Sequence, residues 1–167
     1  MGAGDRTVER SESVASAALQ EHGGVLARVC MALLGDAAAT EHALEGVARD
    51  AATATFEEGK STLVRLLGLA RVACATQLSK LPIRTTAAWG EGAEPKPVGA
   101  RETAREPGLA RAAIGKLKPT EREAVVLHLV GGLDAAQIAE ACGIDVEAAR
   151  QRVARGVSQL VQQEKKR

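Results

Sequence analysis

Aromatic residues are almost absent from this sequence: Phe56 and Trp89 are the only two among 167 residues, and there is no tyrosine. A core built around large rings is therefore excluded. The hydrophobic content of 46% is still sufficient for a core, which must consist mainly of alanine, leucine and valine. Small aliphatic side chains of this kind favour close packing of helices. We therefore expect an all-α fold.

Cysteine is scarce as well. Cys30, Cys74 and Cys142 are far apart and odd in number, and each lies in an apolar helical pattern. This argues against a disulfide framework and indicates small core residues in a reducing compartment. No apolar run reaches the length of a membrane span, and the charged first residues do not resemble a secretion signal. A cytoplasmic location without membrane insertion is expected.

The sequence has no large excess of either charge, because its formal net charge is only +1. An affinity for nucleic acid would therefore have to come from a local patch. Residues 150–167 supply one, since Glu164 is their only acidic residue. The basic residues of this segment are Arg150, Arg152, Arg155, Lys165, Lys166 and Arg167.

Proline is confined to one part of the chain, between Pro82 and Pro119. Residues 82–107 combine four of the five prolines with three glycines and charges of both signs. Such a segment buries too little apolar area to fold alone, and we interpret it as a flexible linker. It separates two expected helical domains, residues 8–81 and residues 108–163. No strand alternation or internal repeat is evident.

The first domain shows four helical segments. The first two are expected at residues 8–21 and 24–34. Gly35 ends the second of them, Asp36 caps the third and Ser61 starts the fourth.

Two helices are expected directly after the linker. One lies near residues 109–116. The other begins at Thr120, which follows Pro119 and has the spacing of a capping box with Glu123.

Residues 133–160 read LDAAQIAEACGIDVEAARQRVARGVSQL and indicate two further helices around a tight turn. Asp134 can cap the first helix, with Gln137 reaching back to it, and Gly143 ends this helix. Asp145 can cap the second helix. Apolar residues at three- and four-residue spacing predict its inner face: Val146, Ala149, Val153, Val157 and Leu160.

The opposite face of this second helix is polar. It carries Arg150, Gln151, Arg155 and Ser158. Side chains of these types bond phosphate oxygens and base edges when a helix enters the major groove. The pattern predicts a DNA-binding helix-turn-helix, and a solvated face on an ordinary helical hairpin is the alternative.

With both halves in view, the chain resembles the extracytoplasmic-function sigma factors. These small bacterial proteins join a region two, which contacts polymerase and the minus-ten element, to a region four that reads the minus-35 element. The resemblance is strongest in LKPTEREAVVLHLVGGLDAAQIAEACGIDVEAARQRVARGVSQL. It implies that Arg150, Arg152 and Arg155 face the minus-35 element. Glu147 and Ala148 replace a common glycine and threonine, so no base preference is implied.

The first half resembles region two through EHGGVLARVCMALLGDAAATEHALEG and LLGLARVACATQL. The resemblance implies a polymerase-binding surface at Glu41, His42 and Glu45. Glu41 matches the family pattern, whereas His42 stands for an aspartate and Glu45 for a glutamine. Arg65 and Val72 occupy places where tryptophan and asparagine are usual. Because aromatic faces help to hold unstacked bases, promoter opening is not implied.

Two functions follow from the resemblance. The first is a sigma factor or sigma-like regulator that binds promoter DNA and core RNA polymerase. The alternative is a sigma-like protein without promoter-melting activity, which binds an anti-sigma factor or another protein partner in an apolar groove between the halves. An enzyme or metal protein is disfavoured, because His22, His42 and His128 are scattered without ligand spacing. No catalytic residue, metal or cofactor is expected.

Overall fold

The computed structural model describes residues 3–57, 59–80 and 106–165. Within these ranges the chain forms helices and no strand, so the predicted all-α fold is confirmed. The helices are α1 (Ala3–Leu34), α2 (Ala37–Thr53), α3 (Thr62–Lys80), α4 (Glu106–Gly115), α5 (Pro119–Leu129), α6 (Ala135–Cys142) and α7 (Val146–Lys165). Of the predicted linker, residues 82–105 lie outside the described residues, and the division into two domains stays a prediction.

Helix α1 corrects one prediction, because it is a single helix where two were expected. Gly23 and Gly24 lie at the predicted break, yet the helix continues through both. A glycine inside a helix costs about 1 kcal/mol relative to alanine but does not end it unless the backbone turns left-handed. The left-handed turn comes later, at Gly35, with φ 68°. Ala18 and Leu26, on either side of the glycine pair, are both buried in the same core, which keeps the two halves of α1 in one helix.

The starts of α2 and α3 agree with the sequence. Asp36 has extended backbone angles, and its Oδ1 accepts a hydrogen bond from the Ala39 amide at 2.8 Å. Ser61 Oγ accepts a longer one, 3.4 Å, from the Val64 amide. Both caps satisfy backbone donors that the first helical turn leaves free.

The start of α5 differs from the predicted capping box. Pro119 is already the first helical residue, and Lys118 occupies the cap position without a side-chain hydrogen bond. Thr120 therefore lies inside the helix and cannot act as its cap. Proline suits this position because its fixed φ is helical and it has no amide hydrogen that would be left unpaired.

Helices α1, α2 and α3 pack together around a core of aliphatic side chains. The largest fully buried ones are Leu26, Leu66, Leu67, Val29, Val47 and Val64. Cys30 and Cys74 are buried in the same core, as predicted. Their thiols are hydrogen-bonded to each other, which together with burial raises the pKa of Cys74.

Helices α5, α6 and α7 form the packed part of the second half, with α4 against α7. Val125, Leu127, Ile138 and Ala149 are completely buried there. The apolar core is continuous between the halves, because α3 contacts α6 and α1 contacts α5. The helix-turn-helix is thus held against the first half of the chain.

Candidate nucleic-acid interface

The turn between α6 and α7 has the local structure that the sequence predicts. The Asp134 carboxylate accepts a hydrogen bond from the Gln137 amide at 2.9 Å, and the Gln137 side chain accepts one from the Asp134 amide at 3.0 Å. This reciprocal pair is a capping box. Gly143 ends α6 in the left-handed conformation, with φ 64°. The predicted caps of α6 are therefore confirmed.

Helix α7 begins at Val146, directly after Asp145. The Asp145 carboxylate accepts a hydrogen bond from the Ala148 amide at 2.7 Å, which confirms it as the cap. Ala149 is completely buried, and the predicted inner face is correct there. It is wrong at Val146, which is 42% exposed, because the first residue of a helix has neighbours on fewer sides.

The outward face of α7 holds a chain of polar side chains. Arg150, Gln151, Arg155 and Ser158 are all exposed. Both Arg150 and Gln151 donate to the carboxylate of Glu147, at 3.1 and 3.3 Å, and Arg155 donates to Gln151 at 3.4 Å. These bonds leave further guanidinium donors free to bind phosphate oxygens or base edges.

Arg152 lies elsewhere on the helix. It is half-buried, and it lies close enough to Glu123 of α5 for its charge to oppose, in small part, the rise in the pKa of that carboxyl that burial causes. Arg152 comes three positions after the buried Ala149, which places it beside the inner face rather than opposite to it. The structure thus separates Arg152 from the other predicted DNA-binding residues.

An ion pair next to Arg152 was not evident from the sequence. Arg71 Nη1 of α3 lies 3.5 Å from Glu123 Oε1 of α5, with side chains that are 29% and 20% exposed. Burial raises the pKa of Glu123, and the nearby charges of Arg71 and Arg152 only partly offset this effect. Residues 71 and 123 are 52 positions apart. No local pattern could have linked them.

The predicted polymerase-binding residues lie together on α2. Glu41, His42 and Glu45 are all exposed. The His42 ring donates from Nδ1 to the Ala38 carbonyl at 2.9 Å, one turn earlier in the same helix. Glu41 and Glu45 are four residues apart and so share a helix face, which gives this part of α2 an acidic surface.

The three histidines do not form a metal centre. His22 is 3.3 Å from the Thr62 hydroxyl, and His128 donates to the Leu133 carbonyl at 2.8 Å. Across residues 3–57, 59–80 and 106–165, no three metal-ligating side chains are grouped closely enough to hold an ion. None of the helices in this part of the chain is both long and apolar enough to span a bilayer.

Comparison with known proteins relates this geometry to a family. Residues 108–160 match the family model described as "Sigma-70, region 4". No curated protein sequence matches the chain. Among solved structures, the fold is similar to that of CnrH in complex with the cytosolic domain of CnrY, with a TM-score of 0.72 and 16% identity over 96% of this chain and 94% of that one. It is also similar to the sigma factor RpoE in complex with the anti-sigma factor NepR from Bartonella quintana, with a TM-score of 0.68 and 20% identity over 87% of this chain and 95% of that one.

Proposed function

We propose that the protein binds promoter DNA through α7 and core RNA polymerase through α2, as the extracytoplasmic-function sigma factors do. The match of residues 108–160 to sigma-70 region 4 and the fold similarity to CnrH and to the sigma factor RpoE support this proposal. One observation carries the DNA-binding part. The capped helix-turn-helix presents Arg150, Gln151, Arg155 and Ser158 on an open face of α7. A second helix of this motif reads DNA by entering the major groove.

The four exposed side chains have complementary roles in this proposal. Arg150 and Arg155 supply charge-assisted bonds to phosphates or to guanine, whereas Gln151 and Ser158 offer both donors and acceptors to base edges. In this proposal Arg152 lies at the edge of the DNA-binding face of α7. Because it is half-buried and lies near Glu123, we expect it to contribute to the packing of α7 as well as to phosphate binding.

Duplex-DNA binding tests this assignment. We expect the double variant R150A/R155A to bind more weakly, and its plot of log affinity against log salt to be less steep by about one unit for each phosphate that it no longer binds. The matched control is R28A, which removes an exposed arginine from α1. Fluorescence anisotropy with labelled duplexes of several sequences measures both quantities. Equal affinity of wild type and R150A/R155A would reject the DNA-binding face.

The polymerase-binding part of the proposal rests on the exposed acidic face of α2. A positively charged surface on the polymerase would pair with Glu41 and Glu45, and reversing both charges would place like charges opposite each other at an energetic cost. E41K/E45K should therefore weaken retention of core RNA polymerase in a pull-down. E21K, which reverses an exposed charge on α1, is the control. Undiminished retention of polymerase by E41K/E45K would argue against this surface.

We also propose a regulatory protein of the anti-sigma class as a partner. This proposal is supported by the similar fold of RpoE, whose structure contains the anti-sigma factor NepR. Co-expression of the chain with candidate anti-sigma factors, followed by co-purification, is the direct test. A partner that displaces polymerase from the chain would establish the regulatory role.

The second candidate function, a sigma-like protein that does not melt promoters, is favoured by the surface of α3. Val72 is 50% exposed, and its side chain has neither a π face nor a hydrogen-bonding group with which to hold an unstacked base. Arg65, also exposed, can stack on a base only through its guanidinium. Permanganate footprinting of a cognate promoter with core polymerase distinguishes the two functions. A stable bubble identifies an ordinary sigma factor, and a closed complex identifies the second candidate.

A further inference from the structure

Glu147 places a negative charge on the exposed polar face of α7. Within α7 only Glu147 and Glu164 are acidic, and Glu164 lies at the far end of the helix. The Glu147 side chain is 61% exposed. Residues 147, 151, 155 and 158 follow one another at three- and four-residue spacing, so they share one side of the helix. A carboxylate therefore lies among the side chains that we assign to DNA.

The position of Glu147 along α7 brings it to the bases. It is the second residue of the helix, whereas Arg155 comes about two turns later. In a helix-turn-helix, the N-terminal residues of the second helix are the ones that contact base edges in the major groove. The Glu147 carboxylate would accordingly meet a base edge when α7 enters the groove.

Hydrogen bonds within α7 hold this carboxylate in place. Its Oε2 accepts from Arg150 Nη1 at 3.1 Å, and its Oε1 accepts from Gln151 Nε2 at 3.3 Å. The Asp145 cap orders the same helical turn. An ionised carboxylate has about four acceptor positions on its two oxygens and no donor, so each oxygen keeps one position for a further bond. Glu147 thus presents a fixed group that can accept but cannot donate.

The four bases offer different partners to such a group. In the major groove cytosine presents its N4 amino donor and no acceptor, whereas guanine presents the acceptors N7 and O6, and thymine presents the acceptor O4. Adenine presents an N6 donor, but its acceptor N7 lies beside that donor. A carboxylate is therefore attracted most strongly by cytosine and is repelled by guanine and thymine.

We propose that Glu147 is a specificity-determining residue, which selects cytosine at one position of the promoter site by accepting a hydrogen bond from the N4 amino group. The inference rests on the proposed function, in which α7 enters the major groove. Because its charge repels phosphates, Glu147 weakens binding to every duplex, and the cytosine contact offsets this repulsion only where cytosine is present. Arg150, held by the same carboxylate, keeps further N–H groups with which to bind a neighbouring guanine.

Selection of duplexes from a randomised library by the full-length chain tests the base preference. We expect the sites that the wild type enriches to contain one position where cytosine is preferred about five- to tenfold over the other bases. E147A should lose the preference at that position alone, and E147Q should narrow it by gaining affinity chiefly for the other bases. The matched control E164Q, at an exposed position, should keep the wild-type preference. If E147A keeps the cytosine preference, or loses a preference for another base instead, the proposal is overturned.

A modified base identifies the atom that Glu147 contacts. N4-methylcytosine still pairs with guanine, but a methyl group replaces the amino hydrogen that faces the major groove. In fluorescence anisotropy on a selected duplex, this base should weaken binding of the wild type about five- to tenfold and leave binding of E147A nearly unchanged. An equal loss in both proteins would overturn the N4 contact. Failure of the proposed function looks different, because the wild type would then enrich no site and R150A/R155A would bind as tightly as the wild type.

Discussion

Gly156 of α7 lies directly against Val125 of α5. A Cβ atom at position 156 would overlap the Val125 side chain and lie 3.3 Å from the Glu121 carbonyl oxygen. Nearly one turn further along α7, Gln159 donates a hydrogen bond to the Glu121 carboxylate at 2.9 Å. Glu121 is only 4% exposed, so this bond supplies a partner for a buried carboxylate. The glycine lets α7 approach α5, and the polar pair fixes its position along α5. This packing of α7 against α5 fixes the direction in which the exposed polar face of α7 points.

The first prediction follows from the glycine. Alanine normally stabilises a helix by about 1 kcal/mol relative to glycine, but overpacking a core costs about 1–3 kcal/mol. We therefore expect G156A to lower the free energy of unfolding in urea. G24A, at an exposed position of α1, should raise it slightly because its Cβ meets only the end of the flexible Arg28 side chain. An increase in stability for both variants would contradict the close approach of α7 to α5.

The second prediction concerns the cap of α7. Because the Asp145 carboxylate accepts the Ala148 amide, D145A should destabilise the protein by about 1 kcal/mol and weaken DNA binding through fraying of the first turn. D145N keeps an acceptor oxygen and should retain most of both properties. Thermal unfolding and anisotropy measure them. The prediction fails if D145N is as impaired as D145A, since charge rather than capping would then be responsible.

The third prediction concerns Glu147, which holds Arg150 and Gln151 by hydrogen bonds on the exposed face of α7. E147Q removes a negative charge that would repel phosphates and releases Arg150 from its ion pair. We expect duplex-DNA affinity to rise roughly two- to fivefold at low salt, with a smaller gain at high salt. E164Q is the control, because it makes the same charge change near the end of α7. An equal gain in affinity for E147Q and E164Q would indicate a general charge effect and would contradict the specific role of Glu147.

The fourth prediction concerns pH and Glu123. Burial raises the pKa of this carboxyl above 4.5, so the native chain binds its proton more tightly than the unfolded chain. This contribution to the free energy of unfolding is therefore present at low pH and is lost as the pH rises from 4.5 through the raised pKa. E123Q cannot ionise and should show a shallower decline of stability with pH in that window. Parallel stability curves for wild type and E123Q would disprove the raised pKa.

Local sequence signals predicted most of the helix boundaries. Asp36, Asp134 and Asp145 each accept the expected backbone amide, and Gly143 adopts the left-handed turn. These features depend on residues within about four positions of one another, because a cap or a turn is complete within a single turn of helix. The exposed polar face of α7 could be predicted for the same reason, because residues three or four positions apart lie on the same side of a helix.

The sequence by itself thus determined most of the helix boundaries, the helix-turn-helix and the identity of its outward-facing side chains. Only the tertiary structure decided that α1 continues through Gly23 and Gly24, that Arg152 lies near Glu123, and that Arg71 pairs with the same carboxylate. These features depend on burial and on contacts between residues far apart in the chain. Their free energies come from the removal of side chains from water, which no local pattern encodes.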